Sequence, residues 1–142
     1  MVSVQKTHSL EELETVFRIR EKVFVEEQNV SPDEEYDEFE DTSEHYLAYF
    51  NGTPAGTARW RQTENGIKLE RFAVLSEFRN QAVGSNILKR VLHDVKAEHP
   101  GKMVYLHAQL QAIPFYERQN FQKTGPQFTE CNIEHFKMVL KS

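Results

Sequence analysis

A short loop of small and polar residues has a composition that suits the binding of an anion. Its residues are Arg79, Asn80, Gln81, Ala82, Val83, Gly84 and Ser85. A predicted strand enters this loop and a predicted helix leaves it, so unpaired backbone N–H groups and the positive end of a helix dipole should meet there. The small side chains of Ala82, Gly84 and Ser85 let a ligand approach the backbone, and Arg79 adds a full charge. The sequence has neither GxxxxGK[ST] nor GxGxxG, and an ordinary strand-to-helix turn remains the alternative.

A predicted β-meander leads into this loop. The predicted strands are residues 46–50, 53–62 and 67–74. Asn51-Gly52 and Asn65-Gly66 separate them, and both dipeptides favour hairpin turns because their residues tolerate positive φ. The third strand should be central in the sheet.

Two amphipathic helices flank the meander in sequence. Ser9 begins the first, three residues before Glu12, which is the spacing of a capping box. Its apolar residues, expected to face the core, are Leu10, Leu13, Val16, Phe17 and Phe24. The second helix follows the small-residue loop and ends before Pro100-Gly101. Its apolar face consists of Ile87, Leu88, Val91, Leu92 and Val95.

The remaining segments complete an alternating α/β pattern. Val2 and Val4 predict a short opening strand, and residues 103–109 predict a buried one. Pro114 suits the first turn of a short helix over residues 114–119. Two closing strands are expected within residues 121–140, with the turn at Gly125-Pro126. One buried face should carry Phe136, Met138 and Leu140.

Composition limits the classes of protein to consider. The chain has 142 residues, 39% hydrophobic and 27% charged, with a net charge of −5. These values predict a single globular domain over residues 1–142 and argue against phosphate-driven binding of nucleic acid. Cys131 is the one cysteine, which excludes an internal disulfide and favours a reducing, cytoplasmic setting. No membrane segment is expected, and the histidines lack the spacing of a metal site.

Two motifs resemble those of the GNAT superfamily of N-acetyltransferases. The run RFAV followed by RNQAVG is similar to its acetyl-coenzyme A (acetyl-CoA) signature, R/Q-x-x-G-x-G/A, at Arg79, Ala82 and Gly84. Ala82 replaces the usual glycine, and positive φ is costly for alanine. The segment LHAQLQAIPFYERQNF is similar to the second cofactor segment, with Gln109 in place of the commoner asparagine and Tyr116 at the family's tyrosine.

The resemblance extends over nearly the whole chain. The segments RIREKVFVEEQNV, SEHY, RWR and CNIEHFKM are similar, in the same order, to the ElaA-like and YjcF-like branch. It implies a mixed, mostly antiparallel twisted sheet flanked by helices and splayed between its two central strands. It also implies transfer of an acetyl group from acetyl-CoA to a primary amine of a small molecule or peptide. Relatives often dimerise, so a homodimer is a further expectation.

The resemblance also assigns residues to the cofactor. The pantetheine arm would bond to the backbone around Phe72, Ala73 and Val74, and the pyrophosphate would lie on the small-residue loop. The full set of expected cofactor contacts is Phe72, Ala73, Val74, Arg79, Gln81, Ala82, Val83, Gly84, Ser85, Gln109 and Phe115. Tyr116 would protonate the departing thiolate, a role that a phenol can fill chemically.

The acceptor amine must lose a proton, and two residues are candidates to remove it. Glu70 is the first, since it lies four residues before Val74 and is expected on the same strand face. A salt bridge to Arg59, Arg61 or Arg71 is the alternative for Glu70. His107 on the neighbouring strand is the second candidate, with a buried hydrogen-bonded histidine as its alternative. An ordered water molecule could also accept the proton from the amine.

An acidic segment, residues 33–41 and then Glu44, follows the first helix. It is expected to be a loop with a short helical turn. One interpretation is that this segment steers cations to the cleft and so favours a positively charged acceptor. The alternative is that it is only a solvated surface. Two other functions stay open: a non-catalytic acetyl-CoA sensor, and a structural domain that has lost the ligand.

Overall fold

A seven-stranded sheet forms the centre of the computed structural model, which describes residues 1–141. Its strands are β1 Val2–Lys6, β2 Glu44–Phe50, β3 Thr53–Thr63, β4 Gly66–Val74, β5 Val104–Gln109, β6 Phe121–Glu130 and β7 Ile133–Leu140. Their order across the sheet is β1-β2-β3-β4-β5-β7-β6. Neighbouring strands are antiparallel, except for β4 and β5, which are parallel. The expected mixed sheet and the β-meander are therefore confirmed. The second hairpin, however, turns at Glu64-Asn65 and not at Asn65-Gly66, because Gly66 already pairs with Thr63 as the first residue of β4.

Helices cover both faces of the sheet. They are α1 Leu10–Arg20, α2 Pro32–Glu35, α3 Val83–Glu98 and α4 Ile113–Arg118, and a π-helical segment, Glu21–Glu27, extends α1. The Ser9 side chain accepts a hydrogen bond from the backbone N–H of Glu12, as the capping-box spacing predicts. Within residues 1–141, no helix has the length and apolar character needed to cross a membrane.

Leu10 does not face the core, contrary to expectation. Its surface is 79% exposed. It lies six residues before the buried Val16, which turns it about 240° away around the helix axis. The helix instead buries Val16 and Ile19 against Leu47 and Ala73 of the sheet.

The sheet separates two apolar clusters. The first lies beneath α3 and α4 and includes Trp60, Ile67, Leu69, Ile87, Leu88, Val91, Val95, Tyr116 and Met138. The second lies beneath α1 and includes Val16, Ile19, Val23, Leu47 and Ala73. We call the two faces of the sheet the α3 side and the α1 side.

The central strands β4 and β5 pair over only a short length. The paired residues are Ile67 with Val104, Lys68 with Tyr105, and Leu69 with Leu106. Beyond these pairs the two strands separate, while β5 continues its pairing with β7 as far as Gln109. This is the splay that the resemblance implies, and it opens a gap through the middle of the sheet.

The last hairpin turns at Cys131-Asn132, not at Gly125-Pro126 as expected. Cys131 and Asn132 both have positive φ, 52° and 61°, and join Glu130 directly to Ile133 as a two-residue turn. Gly125-Pro126 instead lies inside β6, where the register with β7 shifts between Thr124 and Phe128. Because β6 is an edge strand, a proline without an N–H is tolerated there as part of a bulge.

The acidic segment begins with the short helix α2 and crosses the α1 side of the sheet. We call residues 33–41 the acidic strap. Ser31 caps α2 by accepting a hydrogen bond from the N–H of Glu34. At its end Glu35 is only 2% exposed. The strap is therefore partly internal at Glu35, while Glu34 and Glu38 are exposed.

Two buried arginines hold the strap in place. Arg20 of α1 is 1% exposed and Arg59 of β3 is 0% exposed. Arg20 donates to Glu35 and Glu40 at 2.8 Å each. Arg59 donates to Asp37 at 2.7 Å and to Glu40 at 2.9 Å. Burial acts to raise the pKa of Asp37, but the hydrogen bond and charge of Arg59 lower it to about 2.

This network changes what neutralising the strap would do. Removing the charges of Glu35 and Asp37 would take partners away from two buried guanidinium groups. The steering hypothesis treated these carboxylates as free charges, and the structure contradicts it on that point. The primary effect of the Glu35 and Asp37 carboxylates is to fix the strap on α1 and β3.

We predict that Glu35→Ala destabilises the fold by about 3–5 kcal/mol, because it leaves Arg20 buried with one ionic partner fewer. Urea unfolding would measure the loss. Glu38→Ala is the control, since Glu38 belongs to the same strap and is exposed; its effect should stay within about 0.5 kcal/mol. Equal effects of the two variants would contradict the structural role given to Glu35.

Candidate active site

A cleft of about 410 Å³ opens where β4 and β5 separate. Residues from both sides of the sheet line it, so the cleft passes through the gap. On the α3 side they include Phe72, Val74, Leu106, Ala108 and Tyr116. On the α1 side they include Val23, Phe24, Gln28, Glu34, Glu35, Glu70, His107, Glu130 and His135. The two groups of lining residues thus meet at one cavity, with Tyr116 on one side of the sheet and Glu70 and His107 on the other.

A β-bulge in β4 determines which side each residue faces. The register with β3 shifts between Thr57 and Arg59, and Arg71 has a positive φ of 58°. Glu70 consequently lies with Arg59 on the α1 side, while Val74 packs into the cluster on the α3 side. The expectation that Glu70 and Val74 share a face is wrong, because one extra residue inverts the alternation of a strand.

The small-residue loop presents free backbone donors at the start of α3. Ala82 is the N-cap with φ 65° and ψ 14°, in the left-handed region. In the part of the chain that the structure describes, no side chain caps this helix. Ser85 Oγ and Asn86 Nδ2 both donate to the Ala82 carbonyl, at 3.2 and 2.7 Å. These contacts hold the turn while the first N–H groups of α3 point outward, as an anion site requires.

Arg79 forms a clasp beside the cleft. Its Nε donates to the Val74 carbonyl at 2.9 Å, and its Nη2 donates to Glu27 at 2.9 Å. Glu27 ends the π-helical segment, which thereby joins the loop to the α1 side. The Arg79 charge is consequently shared with a carboxylate.

The other expected cofactor residues divide between the cleft and its surroundings. Those that line the cleft are Phe72, Ala73, Val74, Arg79 and Gln109. Those outside its lining are Gln81, Ala82, Val83, Gly84, Ser85 and Phe115. A β-carbon added at Gly84 would lie 3.6 Å from the Phe115 ring, an ordinary contact. Gln109 donates to Gln28 at 2.8 Å, linking β5 to the residue after the π-helical segment.

Tyr116 lies in an apolar environment at the α3 side of the gap. It is 8% exposed. Its ring packs edge-on against Phe72, Phe115 and Phe121, at centroid distances of 6.2, 5.0 and 5.7 Å. Burial raises the pKa of Tyr116 above its ordinary value, so the phenol stays protonated. Such a group can donate a proton or a hydrogen bond into the cleft.

Glu70 has the salt-bridge environment that was the alternative to its role as a base. It contacts Arg59, Arg61 and Lys68 at 2.9, 2.8 and 3.1 Å. Burial acts to raise the pKa of Glu70, but the hydrogen bond from Arg61 and the charges of Arg59 and Lys68 lower it to about 2. A carboxylate with this pKa is a weak base, which argues against proton removal by Glu70.

His107 faces the cleft from β5 and contacts a residue that sequence reasoning missed. Its Nδ1 lies 3.2 Å from Oε2 of Glu130. Glu130 ends β6 and enters the cleft because the hairpin turns at Cys131-Asn132. In the sequence, this turn is indicated only by Asn132, since asparagine tolerates positive φ. Gly125-Pro126 is the more typical turn dipeptide and favoured the wrong position. Among residues 1–141, no group of three or more side chains could hold a metal ion.

Comparisons with known proteins agree with this architecture. Residues 4–142 match the family described as "Acetyltransferase (GNAT) domain". The N-acetyltransferase YjcF of Bacillus subtilis (strain 168) is 39% identical over 130 residues, covering 91% of this chain and 92% of YjcF. The crystal structure of Escherichia coli ElaA has a TM-score of 0.88 at 26% identity, covering 99% of this chain and 100% of that one. An acyl-CoA N-acyltransferase from Pseudomonas aeruginosa has a TM-score of 0.87 at 25% identity, with coverage of 99% and 100%.

The fold, the splayed gap and these similarities define the class: a transferase that takes its acyl group from a coenzyme A thioester. The chain belongs to the GNAT acetyltransferase family.

We predict that Ala82→Gly raises the free energy of unfolding by up to about 1 kcal/mol, because glycine removes the cost of positive φ. The larger conformational entropy that glycine gives the unfolded chain offsets part of this gain. The matched control is Ala97→Gly, near the end of the same helix α3, where glycine should lower stability by about 1 kcal/mol or less. Chemical denaturation of both variants tests the pair. If glycine lowers the free energy of unfolding at both positions, the backbone at Ala82 is not strained.

Proposed function

We propose that the protein transfers the acetyl group of acetyl-CoA directly to a primary amine of a small molecule or peptide, within a single domain. The observation that carries this proposal is the gap between β4 and β5, a cleft lined by residues from both sides of the sheet. On the α3 side it is lined by Tyr116 and by Val74, and Val74 lies beside Gly84 in the first turn of α3. On the α1 side it adjoins polar residues that include His107 and Glu130.

The cofactor would occupy the α3 side. Its pyrophosphate would accept hydrogen bonds from the first N–H groups of α3, at the turn held by Ala82, Ser85 and Asn86. Its pantetheine arm would enter the gap along residues 72–74, whose backbone has lost its pairing partner in β5. Unpaired strand backbone inside a cleft supplies donors and acceptors for an amide-containing chain.

The reaction needs two proton movements. The amine nitrogen attacks the thioester carbonyl carbon, a C–N bond forms and the C–S bond breaks. The amine proton passes to a base or to water, and Tyr116 donates its proton or a hydrogen bond to the departing sulfur. The apolar environment that keeps the phenol protonated suits this role.

A non-catalytic acetyl-CoA sensor is the less favoured function. A protein that only binds the cofactor has no need for a protonated phenol beside the sulfur. It also has no need for polar groups such as His107 and Glu130 on the α1 side of the cleft.

We predict that millimolar acetyl-CoA raises the melting temperature, since a ligand at 100 times its Kd stabilises the folded state by about 2.7 kcal/mol. Gly84→Glu should abolish most of this shift by placing a negative charge at the pyrophosphate site. Gly84→Ala is the matched control, because the fold has room for the added methyl group. A thermal-shift assay in which the wild-type protein does not respond would contradict cofactor binding.

We predict that Tyr116→Phe keeps the acetyl-CoA thermal shift and lowers kcat by about 10²–10⁴-fold. The ring still fills its place among Phe72, Phe115 and Phe121, and only the hydroxyl is lost. Release of free thiol from acetyl-CoA, followed across a panel of amines, measures the rate. Unchanged turnover under conditions where chemistry limits the rate would assign Tyr116 to packing alone.

A further inference from the structure

A histidine and a carboxylate form a pair on the α1 side of the cleft. His107 is the residue of β5 directly after the last β4–β5 pair, Leu69 with Leu106, so it stands at the point where the gap begins. Glu130 reaches it from the end of β6, with His107 Nδ1 and Glu130 Oε2 3.2 Å apart. Both side chains line the cleft and both retain solvent access, at 24% and 43% exposure.

The contact with Glu130 determines which nitrogen of His107 can accept a proton. A carboxylate only accepts hydrogen bonds, so Nδ1 must carry the hydrogen. In the neutral imidazole Nε2 then has the free lone pair, and the hydrogen bond that His107 makes within residues 1–141 is through Nδ1. Phe128 packs edge-on against the ring at a centroid distance of 5.0 Å and limits its rotation. The imidazole is thus held as a base with one acceptor atom available.

Glu130 is suited to stabilise the ring after it gains a proton. The hydrogen bond from His107 lowers the pKa of Glu130, against the opposing effect of burial. The carboxylate is therefore ionised when His107 is neutral, and an imidazolium formed there has an opposite charge within hydrogen-bonding distance.

We propose that His107 is the general base that removes the proton from the acceptor amine, and that Glu130 is the positioning residue that orients its ring. This inference rests on the proposed function, since it requires an amine acceptor on the α1 side. The amine nitrogen loses its proton to Nε2 as the C–N bond forms, and the proton leaves to solvent from the exposed edge of the cleft. No other reactant is needed.

Neighbouring side chains do not offer an equally suitable base. Glu70 is held by cations and has a pKa of about 2. His135 is buried, and its Nδ1 contacts the Ile133 carbonyl at 2.7 Å. Its Nε2 lies 3.9 Å from Glu130, beyond a hydrogen bond. His107 combines a carboxylate contact with access to the cleft.

Several charged groups surround His107 and enter its pH dependence. Those on the strands beside it are Lys68 and Glu70 of β4, Tyr105 of β5, Glu130 of β6, and His135 and Lys137 of β7. Lys137 is the cross-strand partner of His107, but its ammonium group lies over the Tyr105 ring at 5.1 Å. Lys68 is paired with Glu70. Glu130 is the acidic partner in direct contact with the imidazole.

The test is the pH profile of kcat and KM for the best amine in the panel, at saturating acetyl-CoA. In His107→Asn the amide nitrogen can replace Nδ1 as donor to Glu130, but the side chain cannot take a proton. We expect kcat to fall by about 10²–10⁴-fold and the acidic limb of the wild-type profile to disappear.

In Glu130→Gln we expect a smaller fall in kcat. The midpoint of the acidic limb should move to lower pH, because the imidazolium loses its counter-charge. The double variant should be no slower than His107→Asn alone, since the two residues act as one unit.

His93→Asn is the matched control, because His93 is exposed on α3 away from the cleft; its profile should equal that of the wild type. The acetyl-CoA thermal shift should persist in every variant, which would show that the fold and the cofactor site are intact.

Two results would overturn this inference and leave the proposed function standing. One is an acidic limb that persists in His107→Asn. The other is a loss of kcat in the double variant that equals the product of the losses in the two single variants. A wild-type protein that binds acetyl-CoA but acetylates no amine would overturn the proposed function, and this inference with it.

Discussion

Burial of two guanidinium groups is the constraint on which the rest of this structure depends. Arg20 and Arg59 are almost fully removed from water, and an unpaired buried charge is far too costly to keep. Each must therefore have carboxylate partners, and the acidic strap supplies them through Glu35, Asp37 and Glu40. The strap in turn covers the α1 side of the sheet and forms one boundary of the cleft.

The same ionic network determines the chemistry available at Glu70. Arg59 extends from the strap to Glu70, which also contacts Arg61 and Lys68. These cations keep the carboxylate ionised and deprive it of basicity. A residue whose type and place suggested proton transfer thus joins the structural network. The role of base then passes, in our proposal, to His107, which lies beside the network and has its own carboxylate partner.

The splay and the bulge of β4 give the cleft its two sides. Pairing with β5 ends at Leu69, and the bulge near Arg71 inverts the faces that follow. Phe72 and Val74 consequently join Tyr116 on the α3 side, whereas Glu70 remains on the α1 side. In our proposal, the thioester approaches from the α3 side and the amine from the α1 side, with the reacting carbonyl between them.

Much of this architecture was determined by the sequence itself, because the signals are local. Asn51-Gly52 specifies a turn, Ser9 and Glu12 specify a helix start, and the motifs around Gly84 and Tyr116 resemble those of the family. Such features depend on the φ preferences and hydrogen bonds of a few neighbouring residues. The tertiary structure alone decided the contacts between distant segments. It paired Arg20 with the strap, shifted β4 by one residue, and turned the last hairpin at Cys131-Asn132, which brought Glu130 to His107. These outcomes depend on burial and strand register across the whole sheet, and the free energies that decide them are absent from any short stretch of sequence.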